Sequence, residues 1–344
     1  MLDPTLPIAI YLEGSLGFDF GKMGYGILRY SQNPVVCVID SCHAGKNVCD
    51  VVDSPRNPPV VANLDEAIQL GAKVLILGTA PSGGIIPDSW RPVIAQAVAS
   101  GLTLVNGLHE ALAPQFPNLQ PGQVVWDIRQ EPTDLKPGNG AAQFLSNRRI
   151  LMVGNDMAVG KMTAALELQK SAKAQGIDAA FLATGQIGIA LSGDGIPLDA
   201  IRVDYASGAV EKETLKYRDR EWVIVEGQGS LVHPGSTATL PLLRGSMPTD
   251  MILCIRAGQT ELVRSMDKPI PMPPLSALIK LYQDVATMCG SFPAAKVRAM
   301  AVNTSHLDAK DAAEVIKQLA SETGLPVCDP VRDSAQTLVD ALLS

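Results

Sequence analysis

The sequence predicts an α/β protein made of two doubly wound domains. Short, continuous apolar runs recur along the chain, helix-like segments separate them, and one polar segment interrupts the alternation near the middle. Continuous apolar runs are typical of strands that are buried on both faces of a parallel sheet. Alternation of such strands with helices is typical of doubly wound sheets. A length of 344 residues suits two domains.

The first domain is predicted from four apolar runs and two helix-like segments. Its predicted strands cover residues 8–12, 35–39, 73–77 and 102–105, and its predicted helices cover residues 64–72 and 91–101. The second helix ends on Gly101, and helices commonly end on glycine. The first strand continues into EGSLGFDFG, which lacks the G-x-G-x-x-G pattern, so NAD binding is not predicted.

The polar segment 129–147 contains several Pro and Gly residues, which is typical of a connection between domains. We therefore expect a first domain over residues 1–135, a linker over 136–147 and a second domain over 148–344. The second domain has predicted strands at 148–154, 179–183, 222–226, 251–255, 297–303 and 326–329, and predicted helices at 161–175, 276–288, 309–323 and 334–343.

Composition excludes several classes of protein. The net charge of −7, without a Lys/Arg run longer than two, argues against a nucleic-acid partner. No apolar run approaches the ~20 residues that span a bilayer, and the N-terminus does not resemble a secretory signal. We expect a cytoplasmic protein with six reduced cysteines, without a membrane partner, that forms a homo-oligomer. Cys42, His43 and Cys49 are a weak candidate for a metal site, because no fourth ligand with zinc-like spacing is near.

A glycine-containing turn between an apolar strand and a helix predicts a phosphate-binding loop. The stretch GNDMAVGKMT resembles G-x-x-x-x-G-K-[S/T], with one extra residue before the second glycine. Backbone N–H groups and a helix N-terminus bind oxyanions in such loops, and the lysine reaches the terminal phosphates. The alternative is a plain strand–turn–helix with a surface lysine. The predicted nucleotide-binding residues are Gly154, Asn155, Asp156, Ala158, Val159, Gly160, Lys161, Met162 and Thr163, and Lys161 is also a catalytic candidate.

The loop closely resembles the G-T-D-T-x-V-G-K loop of dethiobiotin synthetase and related ATP enzymes. The segment VIVEGQGSL resembles their V-E-G-A-G-G segment, which implies that Glu226 is a magnesium ligand. The strand VRAMAVNTS resembles a base-reading strand, which implies that Asn303 contacts the nucleotide base. Each residue has a structural alternative, as a strand-end carboxylate or a turn former.

The sequence departs from these relatives at Met162, where they have threonine. A thioether is a poor magnesium ligand, because hard cations prefer oxygen. Thr163 comes one position later, turned by ~100° around the helix. Asp156 and Asp204 are candidates for the missing oxygen ligand. ATP or acetyl-CoA is thus the predicted cofactor, with Mg²⁺ as an open question.

Several segments taken together resemble a family of unknown function that is now labelled D-glutamate N-acetyltransferase-like. They are GKMGYGILRYS, VIDSCHAGK, LILGTAPSGGIIPDSW, GNDMAVGKMT, ATGQIGI, VDYASGAVE and VEGQGSLVHPG, in that order over nearly the whole chain. The resemblance implies a Rossmann-like N-terminal domain, a P-loop NTPase-like C-terminal domain, and acetyl transfer to a D-amino acid such as D-glutamate.

Acetyl transfer requires a base, and an acidic substrate requires cations. Among the histidines His43, His109, His233 and His306, we favour His233 as the base, because it follows Glu226 at the carboxyl end of a strand. Candidate substrate or anion ligands are Lys22, Arg29, Lys46 and the possible nest Ser82, Gly83 and Gly84. A surface or loop role is the alternative for each of them.

Three functions remain open from the sequence. The first is an N-acetyltransferase for a D-amino acid, with a phosphate loop that holds ATP or the phosphates of CoA. The second is an ATP-dependent ligase or kinase that acts on a small carboxylate, similar to dethiobiotin synthetase. The third is a nucleotide-sensing protein without catalysis, which the departure at Met162 keeps open.

Overall fold

The computed structural model describes residues 2–262 and 268–344, and of Ser82 it describes the backbone alone. Twelve strands are formed: β1 (Ile8–Tyr11), β2 (Val35–Ile39), β3 (Val60–Val61), β4 (Val74–Leu77), β5 (Thr103–Asn106), β6 (Val125–Asp127), β7 (Arg148–Gly154), β8 (Ala179–Leu182), β9 (Trp222–Val225), β10 (Asp250–Arg256), β11 (Lys296–Asn303) and β12 (Val327–Cys328). The α-helices are α1 (Lys22–Tyr30), α2 (Leu64–Gln69), α3 (Arg91–Ala99), α4 (Lys161–Ala174), α5 (Gln186–Ser192), α6 (Val203–Lys216), α7 (Thr239–Ser246), α8 (Leu275–Thr287), α9 (Ala309–Thr323) and α10 (Gln336–Leu343).

Two parallel six-stranded sheets confirm the predicted fold class. The first has the order β3-β2-β1-β4-β5-β6, which is the doubly wound dinucleotide-fold order. The second has the order β12-β11-β10-β7-β9-β8, with β7 between β9 and β10. Neighbouring strands of both sheets pair in parallel throughout the described residues. In such sheets ligands bind outside the carboxyl ends of the strands, where the strand order reverses.

Local signals explain the element ends. Asn63 caps α2 by accepting the N–H of Glu66, and Asp308 caps α9 by accepting the N–H of Asp311. Helix α9 ends at Gly324 in the left-handed conformation and covers the predicted range 309–323. The central strands β1, β4, β7 and β10 are almost wholly buried, as their continuous apolar sequences predict.

The chain divides into two units along boundaries that differ from the expected ones. The first unit ends at Pro132 and also includes Gln186–Ala200; the second comprises Thr133–Gly185 and Ile201–Ser344. Residues of the expected linker pack within the second unit, where the N–H groups of Asn139 and Ala141 donate to the carboxylate of Glu211 at 3.1 and 2.8 Å. None of the helices in the described ranges has the length and apolar character that a membrane span requires.

Arg149 on β7 ties the start of the second sheet to its surroundings. The residue is 2% exposed, so its charge is almost fully removed from water. Its Nε donates to the carbonyl oxygens of Ser246 and Met247, and its Nη1 donates to those of Leu145 and Asn147. Because four backbone carbonyls depend on one guanidinium, its removal leaves several buried acceptors without a donor.

We expect Arg149→Met to lower the free energy of unfolding by about 3–5 kcal/mol. Arg220→Met is the matched control, because Arg220 forms an exposed pair with Asp178 and exposed pairs contribute less than about 1 kcal/mol. Urea unfolding followed by circular dichroism measures both. Equal losses in the two variants would contradict a special role for the buried guanidinium.

Candidate functional site

The predicted phosphate loop lies between β7 and α4, at the carboxyl end of the central strand of the second sheet. Gly160 precedes the helix with φ of +101°, a conformation that L side chains rarely adopt. Among the described residues, the nearest side-chain atom to a Cβ built at Gly160 would be the Nδ2 of Asn303, at 4.0 Å, so the backbone here is approachable. The turn thus combines the open backbone and the helix N-terminus that oxyanion binding requires.

Lys161 is buried at the heart of this loop. The residue is 6% exposed, and its Nζ donates to the carbonyl oxygen of Asp156 at 2.8 Å. Burial lowers the pKa of Lys161 to about 8, although the charges of the neighbouring Asp156 and Glu226 favour its charged form. Burial also raises the pKa of the Cys254 thiol to about 12, so this neighbour stays neutral near pH 7. The lysine is therefore buried and is not the surface residue of the alternative interpretation.

Gly227 lets the strand β9 pass close to this lysine. A Cβ at Gly227 would lie 1.7 Å from the carbonyl oxygen of Met152 and 2.8 Å from the Cδ of Lys161. No side chain fits there without displacing the backbone of β7. The glycine after Glu226 is thus explained by close packing against the phosphate loop.

Glu226 is buried at the end of β9, where its carboxylate binds backbone. Its Oε2 accepts the N–H groups of Thr184 and Gly185 at 2.8 and 3.1 Å, and its Oε1 accepts the Nε2 of Gln228 at 3.3 Å. The hydroxyl of Thr184 also donates to the carbonyl oxygen of Glu226. Because N–H donors already occupy both oxygens, the expected role as a magnesium ligand competes with a structural one.

The other expected metal ligands lie in the first turns of two helices. Thr163 is half-buried within the first turn of α4, and Asp204 is exposed in the first turn of α6. Among the described residues, the metal-compatible group of carboxylate, thiol or imidazole ligands is formed by Glu13, Asp40 and Cys42 in the first unit. The Nδ1 of His43 lies 2.6 Å from the Oδ2 of Asp40, whereas the Cys49 thiol donates to the backbone carbonyl oxygens of Ser54 and Arg56. The weak candidate set of Cys42, His43 and Cys49 is therefore not assembled.

Asp156, in the loop, is fully buried and surrounded by polar partners. Its Oδ1 accepts the N–H of Met157 at 2.6 Å, and its Oδ2 accepts the Nε2 of Gln259. The Nε2 of His233 lies 3.8 Å from Oδ1. The Nδ1 of His233 accepts the N–H of Gly235 at 3.0 Å, so a neutral ring carries its proton on Nε2 and points it toward Asp156. This arrangement does not favour His233 as a base, since its acceptor nitrogen is already engaged.

Three further residues complete the edge around the loop. The buried Tyr282 of α8 donates its hydroxyl to the carbonyl oxygen of Gly154 at 2.7 Å and accepts the N–H of Leu231. The side-chain oxygen of Asn155, predicted to bind the nucleotide, is buried without a partner in the described chain. Asn303 lies beside Gly160, as its expected role requires, and its Oδ1 accepts the N–H of Ser305.

The candidates in the first unit come from three segments of the chain. Lys22 is exposed at the first residue of α1, whereas Arg29 lies in the last turn, ~10 Å further along the helix. Lys46 is exposed in a loop after β2. The 3₁₀ turn Ser82–Gly84 carries positive φ at Gly83 and Gly84, but the N–H of Gly84 donates to the carbonyl oxygen of Pro81. The side chain of Ser82 lies outside the described residues.

The remaining histidines lie in separate places. His306 is exposed in the loop after β11, and His109 follows β5, with its N–H donating to the carbonyl oxygen of Gly84. Sequence reasoning missed Gln259, Tyr282 and an Arg129–Asp199 pair with Nη2 and Oδ2 3.1 Å apart. A polar residue just beyond an apolar strand is the signal that could have indicated Gln259 and Arg129.

The fold and loop define a protein with a Rossmann-like domain followed by a P-loop domain. Residues 41–131 match a domain of unknown function described as the Rossmann-like domain DUF1611_N, and residues 136–339 match the P-loop domain DUF1611_C. The chain belongs to the DUF1611 family. The resemblance inferred from the sequence motifs is therefore confirmed.

Similar proteins are known in several bacteria. A protein named D-glutamate N-acetyltransferase from Pseudoalteromonas sp is 35% identical over 280 residues, covering 80% of this chain and 82% of the relative. A protein of the same name from Tritonibacter scottomollicae is 36% identical over 287 residues, covering 81% and 84%. The crystal structure of a DUF1611 family protein from Anabaena variabilis is 46% identical, with a TM-score of 0.95 over 98% of this chain and 99% of that one.

The depressed pKa of Lys161 predicts pH-dependent binding of a phosphate ligand such as ADP. Protonated Lys161 attracts the anion, so affinity should fall as pH rises through about 8, by up to about tenfold per pH unit. Calorimetric titration between pH 7 and 9.5 measures this slope. Lys161→Arg is the control, because an arginine stays charged throughout this range. The same slope in the control would assign the titration to another group.

Proposed function

We propose that this protein transfers the acetyl group of acetyl-CoA to the amino group of D-glutamate, and that its phosphate loop binds the phosphates of CoA. The two relatives named D-glutamate N-acetyltransferase support the reaction. The observation that carries the ligand assignment is the loop itself. It has a buried lysine and an open glycine backbone, but Met162 stands where metal-dependent loops carry a hydroxyl.

The proposed reaction has a simple balance of bonds and protons. The neutral amine nitrogen attacks the thioester carbonyl carbon, an N–C bond forms, and the C–S bond breaks. The ammonium of the free substrate releases two protons, of which one is taken by the departing CoA thiolate and one reaches solvent. The chain's part is to bind both ligands, to accept a proton and to stabilise the oxyanion.

The donors at the loop fit an oxyanion better than they fit a magnesium ion. Lys161 would move its Nζ from the carbonyl oxygen of Asp156 to a phosphate oxygen, and the N–H groups of residues 158–160 would supply further donors. Asn303 is placed beside Gly160, where it can contact the adenine of either CoA or ATP. Glu226 already accepts backbone N–H groups, and no step of the proposed reaction uses a metal.

A reaction with acetyl-CoA and a panel of D- and L-amino acids, read by mass spectrometry with and without ATP and magnesium, tests the activity. We expect N-acetyl-D-glutamate to form without ATP. Formation of ADP with one particular carboxylate, without an acetylated product, would instead support an ATP-dependent ligase. Tight nucleotide binding without any turnover would support a sensing protein.

Replacement of the loop lysine tests the ligand. Lys161→Ala should weaken acetyl-CoA binding by at least about tenfold, because it removes a charge-assisted contact to phosphate. Lys170→Ala on the same helix is the matched control, since the Lys170 side chain is 79% exposed. Unchanged affinity for both acetyl-CoA and ATP in Lys161→Ala would overturn the assignment of the loop.

Replacement of Met162 separates the two cofactors. Met162→Thr supplies the hydroxyl that magnesium-dependent loops carry, so magnesium should increase ATP affinity more in the variant than in the natural protein. Acetyl-CoA affinity should stay within about twofold, because oxyanion recognition by N–H groups needs no metal. Calorimetry with and without magnesium measures both effects. A loss of acetyl-CoA binding in this variant would count against the proposal.

A further inference from the structure

Arg129 and Asp199 form an ion pair at the carboxyl edge of the first sheet, next to His109 and Gly84. Gly84 follows β4, His109 follows β5 and Arg129 follows β6, so the three come from neighbouring strands. Asp199 joins them from the segment Gln186–Ala200, which packs within the first unit. This is the edge at which open parallel sheets bind their ligands.

The guanidinium of Arg129 is buried but only partly paired. The side chain is 10% exposed, and its Nη2 contacts the Oδ2 of Asp199 at 3.1 Å. Its Nε is buried without a partner among the residues that the structure describes. Burial lowers the pKa of Arg129, and the charge of Asp199 opposes this shift. An arginine has five N–H donors, and one carboxylate contact leaves most of the donors of this guanidinium without an acceptor.

A comparison with Arg149 shows what a purely structural arginine looks like in the same chain. Arg149 donates to four backbone carbonyls that it holds together. Within the described part of the chain Arg129 has no such set of carbonyl partners, although it is also buried. Its unpaired donors are therefore better explained by an acceptor on a bound ligand than by a structural role like that of Arg149.

Gly84 packs closely against His109 and this guanidinium. Gly84 has φ of +64°, and a Cβ there would lie 2.3 Å from the Cδ2 of His109 and 3.3 Å from the Nη1 of Arg129. Any larger residue would therefore press on both side chains. Asp199 remains 44% exposed, and the Nε2 of His109 lies 3.9 Å from its Oδ2. The pair thus consists of a buried cation with unused donors and an accessible carboxylate directly beside it.

We propose that the Arg129–Asp199 pair binds an amino acid as a zwitterion, with Arg129 on its carboxylate and Asp199 on its ammonium. The planar guanidinium suits a carboxylate with two parallel N–H donors, and adjacent opposite charges complement the two charges of an amino acid. This inference rests on the proposed function, in which the substrate is D-glutamate. It adds Arg129 and Asp199, which lie 70 residues apart in sequence, to the candidate substrate residues.

The test compares D-glutamate with glutarate, which has the same carboxylates but no ammonium. Arg129→Met should raise the KM for D-glutamate by at least about tenfold and leave the KM for acetyl-CoA within about twofold. Asp199→Asn should raise the KM for D-glutamate but leave inhibition by glutarate unchanged, because only D-glutamate presents an ammonium. Arg91→Met is the matched control, since its exposed pair with Glu110 lies in the same unit.

The outcomes separate this inference from the proposed function. If the natural protein forms no N-acetyl-D-glutamate, the proposed function fails, and direct calorimetry of the amino-acid panel against the natural protein and the two variants then decides the inference. An unchanged KM for D-glutamate in Arg129→Met would overturn the inference. Equal losses of affinity for D-glutamate and for glutarate in Asp199→Asn would overturn it as well. Should Arg129→Met fail to fold, the comparison of the two ligands in Asp199→Asn decides alone.

Discussion

The burial of one ammonium group, that of Lys161, is the constraint on which the candidate site of the second unit depends. An uncompensated charge taken out of water costs several kcal/mol, so its neighbours must supply acceptors and negative charge. The carbonyl oxygen of Asp156 accepts from Nζ, while the charges of Asp156 and Glu226 favour the protonated form. The close passage of Gly227 leaves no room for a side chain beside the lysine stem. The loop therefore surrounds its own cation, whose Nζ is bonded to an internal carbonyl oxygen.

The same carboxylate that stabilises this ammonium also fixes the path of the chain. Glu226 accepts the N–H groups of Thr184 and Gly185, and directly after Gly185 the chain leaves the second unit to form Gln186–Ala200 of the first. That segment carries Asp199, the partner of Arg129. A substitution at Glu226 thus changes the electrostatics of Lys161 and also removes the acceptor of two backbone N–H groups, so a loss of activity would not by itself demonstrate metal binding.

The sequence predicted the parts of the structure that are continuous in the chain. Both parallel sheets and the phosphate loop follow from apolar runs, a glycine turn and a helix that are adjacent in sequence. The strands β3 and β6 were missed because two or three residues carry no periodic signal, and α1 was missed because Gly24 and Gly26 disfavour a helix. The contact between Arg129 and Asp199 could not be read from spacing, because it depends on a segment that returns to the first unit. The position of His233 in the sequence predicts a base, but its Nδ1 accepts the N–H of Gly235, a local contact that no sequence pattern indicates.

Recognition of a phosphate and its cleavage place different demands on a loop, and this chain meets them unequally. Recognition requires backbone N–H groups, an approachable glycine and a cation, which Gly160 and Lys161 provide. Cleavage additionally requires a metal held by hard oxygen ligands, but Met162 offers sulfur and Glu226 already accepts backbone N–H groups. A ligand whose phosphates are bound but not cleaved needs only the features that recognition requires. Acetyl-CoA is such a ligand, because its reacting thioester lies at the far end from its diphosphate, and the loop's chemistry is thus consistent with acyl transfer.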